Sequence, residues 1–220
     1  MQKKKASEKP LSFAAQAYQT IKDMIIRGQI EQGDVLSILY LADLLNIGRT
    51  PVTIACQRLE CDGLVRIIPK QGVLINPMTV NDVRELYESR IAIEIFLADK
   101  AFEYFNKADI ETLEASILRQ HTLGEKEDAY GFMEEDTYFH RYIIGRYPNK
   151  TLMGMHHNLT DRIFLFGVRN STNRTRLFQS IESHQRMVQA LKEKDRNKFL
   201  AEIELNQMSG YIFNTGLYSK

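Results

Sequence analysis

Residues 48–65 read GRTPVTIACQRLECDGLV. Val52, Ala55, Leu59 and Leu64 recur mostly at helical intervals, and Arg49 and Arg58 are the only cations in the run. Thr50 is placed to cap this helix with Pro51 at its first position, a favoured start, and Asp62-Gly63 to end it. Such a segment fits a helix that reads DNA, and equally a helix that only packs. Its neighbours in the chain decide between them.

Upstream, Phe13 to Gly28 carries an apolar stripe of Ala17, Ile21, Met24 and Ile25, which Gly28 stops. A turn at residues 31–34 follows, and Ser37 can cap a short helix from Ile38 to Leu45 with Leu41, Leu44 and Leu45 turned inward. Downstream, Leu64–Ile68 and Gly72–Ile75 are short β-type runs around Pro69, Lys70 and Gln71, the pattern of a hairpin. Three helices and a hairpin, in that order, make a winged helix-turn-helix. In such a module the third helix enters the major groove and the hairpin flanks it. The module is expected over residues 13–77, preceded by a disordered basic arm over 1–12.

From Thr79 on there is almost no strand signal. Six helical stretches are expected, at about 79–105, 109–126, 128–146, 149–169, 174–193 and 195–215, with breaks at Asn106-Lys107, Pro148-Asn149, residues 170–173 and Lys194-Asp195. The natural architecture for residues 78–220 is an antiparallel all-α bundle, so the chain is mainly α. Its length of 220 residues suits one large domain or two small ones.

Polar residues interrupt the apolar stripes of that bundle. In its first helix Val83, Leu86, Ile93 and Leu97 leave a step that Arg90 fills. In the third, Asp136 and His140, at i and i+4, stand among Phe132, Met133, Ile143, Ile144 and Tyr147. In the fifth, His184 lies among Leu177, Ile181, Val188 and Leu191, and in the sixth Asn206 lies among Phe199, Ile203 and Phe213. Buried charges are costly unless paired or coordinating, so five such positions point to one shared polar cavity. Two imidazoles and a carboxylate suit zinc or a similar divalent metal. The adjacent pair His156-His157 reads as surface or packing residues.

Charge and cysteine content narrow the partners. The net charge is +1, but residues 1–78 carry ten Lys and Arg against seven Asp and Glu, whereas residues 79–220 carry 19 against 21. The sign favours nucleic acid as the partner of the N-terminal part. Cys56 and Cys61 fall on different faces of one helix, which fits a reduced, cytoplasmic setting better than a disulfide. No segment has the length and composition of a membrane span.

The stretch LADLLNIGRTPV (41–52), followed by Arg58-Leu59 and Asp62-Gly-Leu-Val65, resembles the winged-helix domain of GntR-family bacterial transcription regulators. YESRIAIE (87–94) and DTYFH (136–140) resemble the family's FCD effector domain, and six bundle helices match its shorter branch. The resemblance implies a homodimer that binds a palindromic double-stranded operator and responds to a small-molecule effector, often a carboxylate. It implies DNA contacts from Arg49, Thr50, Thr53, Gln57 and Arg58, with Lys70, Gln71 and Gly72 as the wing. It implies a divalent metal site at Asp136, His140 and His184, and Arg90 facing the effector. The fourth ligand position holds Asn206 where the family has His, which lowers metal affinity, changes the preferred metal or empties the site. The DNA-reading end departs too, with Gly48 for Ser, Thr53 for a second Arg, and Leu39 or Tyr40 where an Arg often sits. Altered sequence preference is the expected consequence. Two other classes stand beside this reading: a metal-dependent enzyme, and an interaction module without specific DNA binding. No glycine-rich phosphate loop, nucleophile motif or second carboxylate placed as a general base is legible, so the sequence reads as no enzyme.

Overall fold

In a computed structural model, residues 11–170 and 174–215 are described, without the side chains of residues 165–170, 213 and 214. Residues 1–10 of the expected arm, residues 171–173 of the expected break and the side chain of the stripe residue Phe213 therefore lie outside what is described. The described residues form two compact units that divide after Pro77.

The first unit contains α1 (Phe13–Ile26), β1 (Val35–Leu36), α2 (Ile38–Leu45), α3 (Arg49–Cys61), β2 (Val65–Ile68) and β3 (Gly72–Ile75). Ser12, expected in the arm, caps α1 by accepting a hydrogen bond from the Ala15 N–H. Ser37 caps α2 in the same way from Tyr40. In α2, Leu41 and Ala42 are buried, which turns the expected core residue Leu44 outward by about 100° per residue, and it is exposed. Helix α3 starts earlier than expected. Gly48, not Thr50, is its N-cap, without a side-chain hydrogen bond, so Pro51 falls at the third helical position. Proline is tolerated throughout that first turn, whose N–H groups lack partners within the helix.

The sheet order is β1-β3-β2, all antiparallel, with Ile67 opposite Val73 and Leu36 opposite Val73 from the other side. The two-residue β1 carries no strand signal in the sequence. Gly72 makes that third strand possible. Its φ is +135°, and a Cβ there would stand 2.4 Å from the Leu36 carbonyl oxygen, so β3 meets β1 only through a glycine. At the tip, Lys70 takes a left-handed φ of 63°. The Glu60 carboxylate accepts from the Ile67 N–H, and the Asn76 amide donates to the Gly63 and Val65 carbonyls, fastening the hairpin to α3.

The second unit is a bundle of α4 (Val80–Ala101), a 3-10 turn (Phe102–Tyr104), α5 (Lys107–Glu125), α6 (Ala129–Gly145), α7 (Lys150–Asn170), α8 (Arg174–Glu193) and α9 (Arg196–Thr215). Capping boxes at Thr79/Asp82 and Asn106/Asp109 set the starts of α4 and α5. Helix α4 packs against α6, α7 and α9, while α5 packs against α6 and α8. Between them lies a core that includes Leu97, Leu113, Phe132, Phe139, Ile143 and Phe199. Phe199 is fully buried and meets the rings of Phe102 and Phe105. Among the described residues no helix is long and apolar enough to cross a membrane.

Two measurements check this packing. Phe199→Ala is expected to cost about 3–5 kcal/mol in urea unfolding, because it removes a ring and leaves a cavity. Burial pushes the Cys56 thiol up to about 11, whereas Cys61 is exposed. A thiol reagent at pH 8 should therefore titrate one thiol, Cys61, in the native protein and both in denaturant.

Candidate functional site

Helix α3 has two faces. Val52, Ala55, Cys56 and Leu59 are buried, at 1% exposure or less. The opposite face carries Thr50, Ile54, Gln57 and Cys61, all exposed, with Arg49 at the helix start. The expected DNA-facing residues are therefore outward, with three qualifications. The Thr53 hydroxyl donates to the Arg49 carbonyl at 2.9 Å, so its proton is engaged within the helix. The Arg58 guanidinium lies over the Tyr18 ring, 3.9 Å from its centroid, and the Tyr18 hydroxyl donates to Asp62. Arg58 thus braces α3 against α1. Lys70 and Gln71 are exposed at the hairpin tip, but Gly72 is fixed by its approach to Leu36.

In the bundle, each of the six helices sends a polar side chain into one cluster. Glu94 on α4 is its anchor. The carboxylate is fully buried and accepts from Arg90 Nε at 2.7 Å, His156 Nε2 at 2.6 Å and Gln207 Nε2 at 2.9 Å, and lies 3.1 Å from His140 Nδ1. Burial works to raise its pKa, but Arg90 and then His140 outweigh it and hold the carboxyl well below the usual range. An ionised carboxylate only accepts, so His140 carries its proton on Nδ1 and turns the lone pair of Nε2 the other way. His184 is fixed by the same logic. Its Nδ1 lies 2.7 Å from Gln120 Oε1, an acceptor, and burial pushes its pKa down to about 3, so the ring is neutral with a free lone pair on Nε2.

Those two lone pairs face each other. His140 Nε2 and His184 Nε2 are 3.2 Å apart, Asp136 Oδ1 is 3.5 Å from His184 Nε2, and Asn206 Oδ1 is 3.1 Å from His140 Nε2. The ligand atoms of Asp136, His140 and His184 all lie within 4.8 Å of one another. In these tautomers His140 Nε2, His184 Nε2, Asp136 Oδ1 and Asn206 Oδ1 converge as four acceptors, an arrangement that could hold a cation. The spacing fits one: ligands about 2.0–2.1 Å from a tetrahedral zinc sit about 3.3–3.4 Å apart. Gln120 and Glu94 are the outer partners that hold the two rings in the required tautomer. Ser180 steadies the other two positions by donating to Asp136 and accepting from the Asn206 amide.

Beside this cluster is a cavity of about 50 Å³, lined by Tyr87, Arg90, Phe132, Asp136, Arg176 and Asn206 among others. Among the described residues, the buried Nη2 of Arg90 has no hydrogen-bonding partner. A donor left this way costs about 1–3 kcal/mol unless a ligand or water fills the place.

The structure brings the expected residues Arg90, Asp136, His140, His184 and Asn206 into one cluster and adds four members not expected there. Glu94 follows Arg90 by four residues, the spacing of an ion pair on one helix face. Gln120 and Gln207 carry no such signal. His156, read as surface or packing, is instead fully buried on Glu94, while His157 is exposed. Two adjacent histidines cannot share a helix face, and burial of one was decided by the acidic partner on α4. Glu94 is also a second carboxylate near the cluster, but four partners engage it and leave no free base.

Residues 13–75 match the family described as "Bacterial regulatory proteins, gntR family", and residues 85–203 match the FCD domain. An uncharacterised HTH-type transcriptional regulator of Bacillus subtilis, YdhC, is 28% identical over 196 residues, covering 86% of this chain and 85% of the relative. The gluconate operon transcriptional repressor of the same organism is 28% identical over 191 residues, covering 83% and 76%. Among solved structures, McbR/YncC of E. coli shares the fold with a TM-score of 0.83 at 21% identity, over 96% of this chain and all of that one.

Removing the charge of Glu94 tests the anchor. Glu94→Gln keeps the shape but leaves the Arg90 guanidinium buried without its counterion, and is expected to cost about 3–5 kcal/mol in denaturant unfolding. A loss below about 1 kcal/mol would mean that Arg90 has an alternative partner.

Proposed function

We propose that this chain, which belongs to the gntR family of bacterial regulatory proteins and carries an FCD domain, is a homodimeric, cytoplasmic, metal-loaded switch that a small carboxylate releases from or holds on a palindromic operator. The chain is a transcriptional regulator with a DNA-binding domain and an effector domain, and not an enzyme. The side-chain chemistry of the bundle supports the metal and effector reading. Asp136, His140, His184 and Asn206 would hold a divalent cation, which supplies positive charge for an anionic ligand. Arg90 would bind the ligand's carboxylate through its unpartnered Nη2, the observation that carries this reading. A volume of about 50 Å³ suits one or two waters or a single carboxylate group, so the ligand's remaining atoms need space that opens on binding.

On the DNA side, Arg49, Thr50 and Gln57 would face bases. Arg58, held on Tyr18, and Lys70 and Gln71 at the wing would face phosphate or the minor groove. Thr53 would act as an acceptor, since its proton is engaged.

Binding to DNA selected from a random duplex pool tests the whole. Specific complexes should weaken steeply with salt, and Arg49→Ala should cost about 1–3 kcal/mol on the selected site. A screen of small carboxylates, with and without added divalent metal, should alter that binding in wild type and not in Arg90→Met. Wild-type binding indifferent to sequence would sink the reading and leave an interaction module.

Metal binding is checked separately by calorimetry on chelator-treated protein. Zinc, nickel or manganese should bind and raise the melting temperature, His184→Ala should abolish the effect, and Gln120→Ala should weaken it about 10–100-fold. Asn206→His should bind zinc more tightly than wild type, because imidazole is the better ligand for it.

A further inference from the structure

The outward face of α3 carries a residue that the assignment of DNA contacts leaves unused. Ile54 is 51% exposed, midway along the helix and opposite the buried stripe of Val52, Ala55, Cys56 and Leu59. It stands one turn from Thr50 and three residues before Gln57, all on the surface that a winged helix presents to the major groove. Single exposed apolar residues are ordinary on a protein surface. This one differs in where it lies and in what surrounds it.

Beside Thr50 and Gln57, the other expected polar readers around Ile54 are engaged within the protein. Thr53 has its proton engaged by the Arg49 carbonyl, and Arg58 is stacked on Tyr18. On α2, Leu39 and Tyr40 are about half exposed and offer no cation. Apart from Arg49 at the helix start, the groove-facing side of α3 is uncharged, with an isobutyl-sized apolar group at its centre. A β-branched residue there also gains nothing for the helix, since Ile ranks below the straight-chain residues in helix propensity. In the major groove one base feature is apolar, the 5-methyl group of thymine.

We propose that Ile54 is a specificity-determining residue that reads the 5-methyl group of a thymine in each operator half-site, so that apolar contact takes the place of a further arginine–guanine pair. The inference rests on the DNA-binding reading above. It adds a residue, the chemical class of the contact and a base identity. Discrimination at that position comes from excluding water between two apolar groups, and a cytosine there lacks the methyl and presents its amino group to the isoleucine instead.

Deoxyuridine tests this directly, because it pairs as thymine does and lacks only the methyl. A site is first selected from a random duplex pool with the full-length protein. Fluorescence anisotropy then compares that duplex with versions in which each thymine in turn is replaced by deoxyuridine, for wild type, Ile54→Ala and Ile54→Val. At one position per half-site wild type should lose about fourfold in affinity, the loss that corresponds to about 0.8 kcal/mol for one buried methyl-sized group. Ile54→Ala should bind the thymine and deoxyuridine duplexes equally, and Ile54→Val should retain most of the preference. Thermal unfolding of both variants should match wild type, since the side chain is exposed.

Each other outcome is decisive. Equal wild-type affinity for thymine and deoxyuridine at every position overturns the inference and leaves the regulator reading intact. A loss that Ile54→Ala shows as fully as wild type assigns the methyl to another residue, and also overturns it. A selection that enriches no sequence overturns both readings together.

Discussion

The bundle depends on one buried charge. Glu94 has no exposed surface, and a carboxylate in that position is tolerable only when donors surround it. Arg90 comes from its own helix, His140 from α6, His156 from α7 and Gln207 from α9. Satisfying one side chain therefore fixes how four helices meet, more narrowly than apolar packing alone, which accepts many interchangeable arrangements. The same contact orients His140 so that its other nitrogen faces His184. The charge that organises the bundle core thus also sets the relative placement of the two imidazoles.

In the first unit, the limiting contact is the meeting of β1 and β3. It is closed by a backbone approach that leaves no room for a Cβ at Gly72. The hairpin is paired with β1 through Leu36 and tied to α3 through Glu60, while Asn76 closes its base on Gly63 and Val65. Arg58 and Tyr18 brace α3 on α1. Of the departures from family pattern, Thr53 lies on α3 and Leu39 on α2. Neither belongs to the buried stripe of Val52, Ala55, Cys56 and Leu59.

Much of the architecture was legible because it follows from local rules. Helix α2 runs from Ile38 to Leu45 as the Ser37 cap and the apolar spacing indicate, and the six bundle helices lie within a few residues of their expected spans. Polar residues in apolar stripes located Arg90, Asp136, His140, His184 and Asn206, because a stripe has one buried direction. Where local rules compete, reading fails. Thr50 and Gly48 both offer an α3 start, and the backbone used the earlier one. Leu44 matched the periodicity but lost the core to Ala42, which the close approach of α2 to α3 favours.

The sequence by itself determined the fold class, the winged helix, the bundle and five of the polar residues within it, since periodicity, caps and turn residues act over a few neighbours. Only the tertiary structure decided which partners those residues take. Glu94 with His156, Gln120 with His184 and Arg58 with Tyr18 are separated by between 40 and 64 positions in the chain. No local pattern encodes such pairs. They arise when folding removes water from charged and polar groups, and each must then find its counterpart on whichever helix the packing has brought alongside.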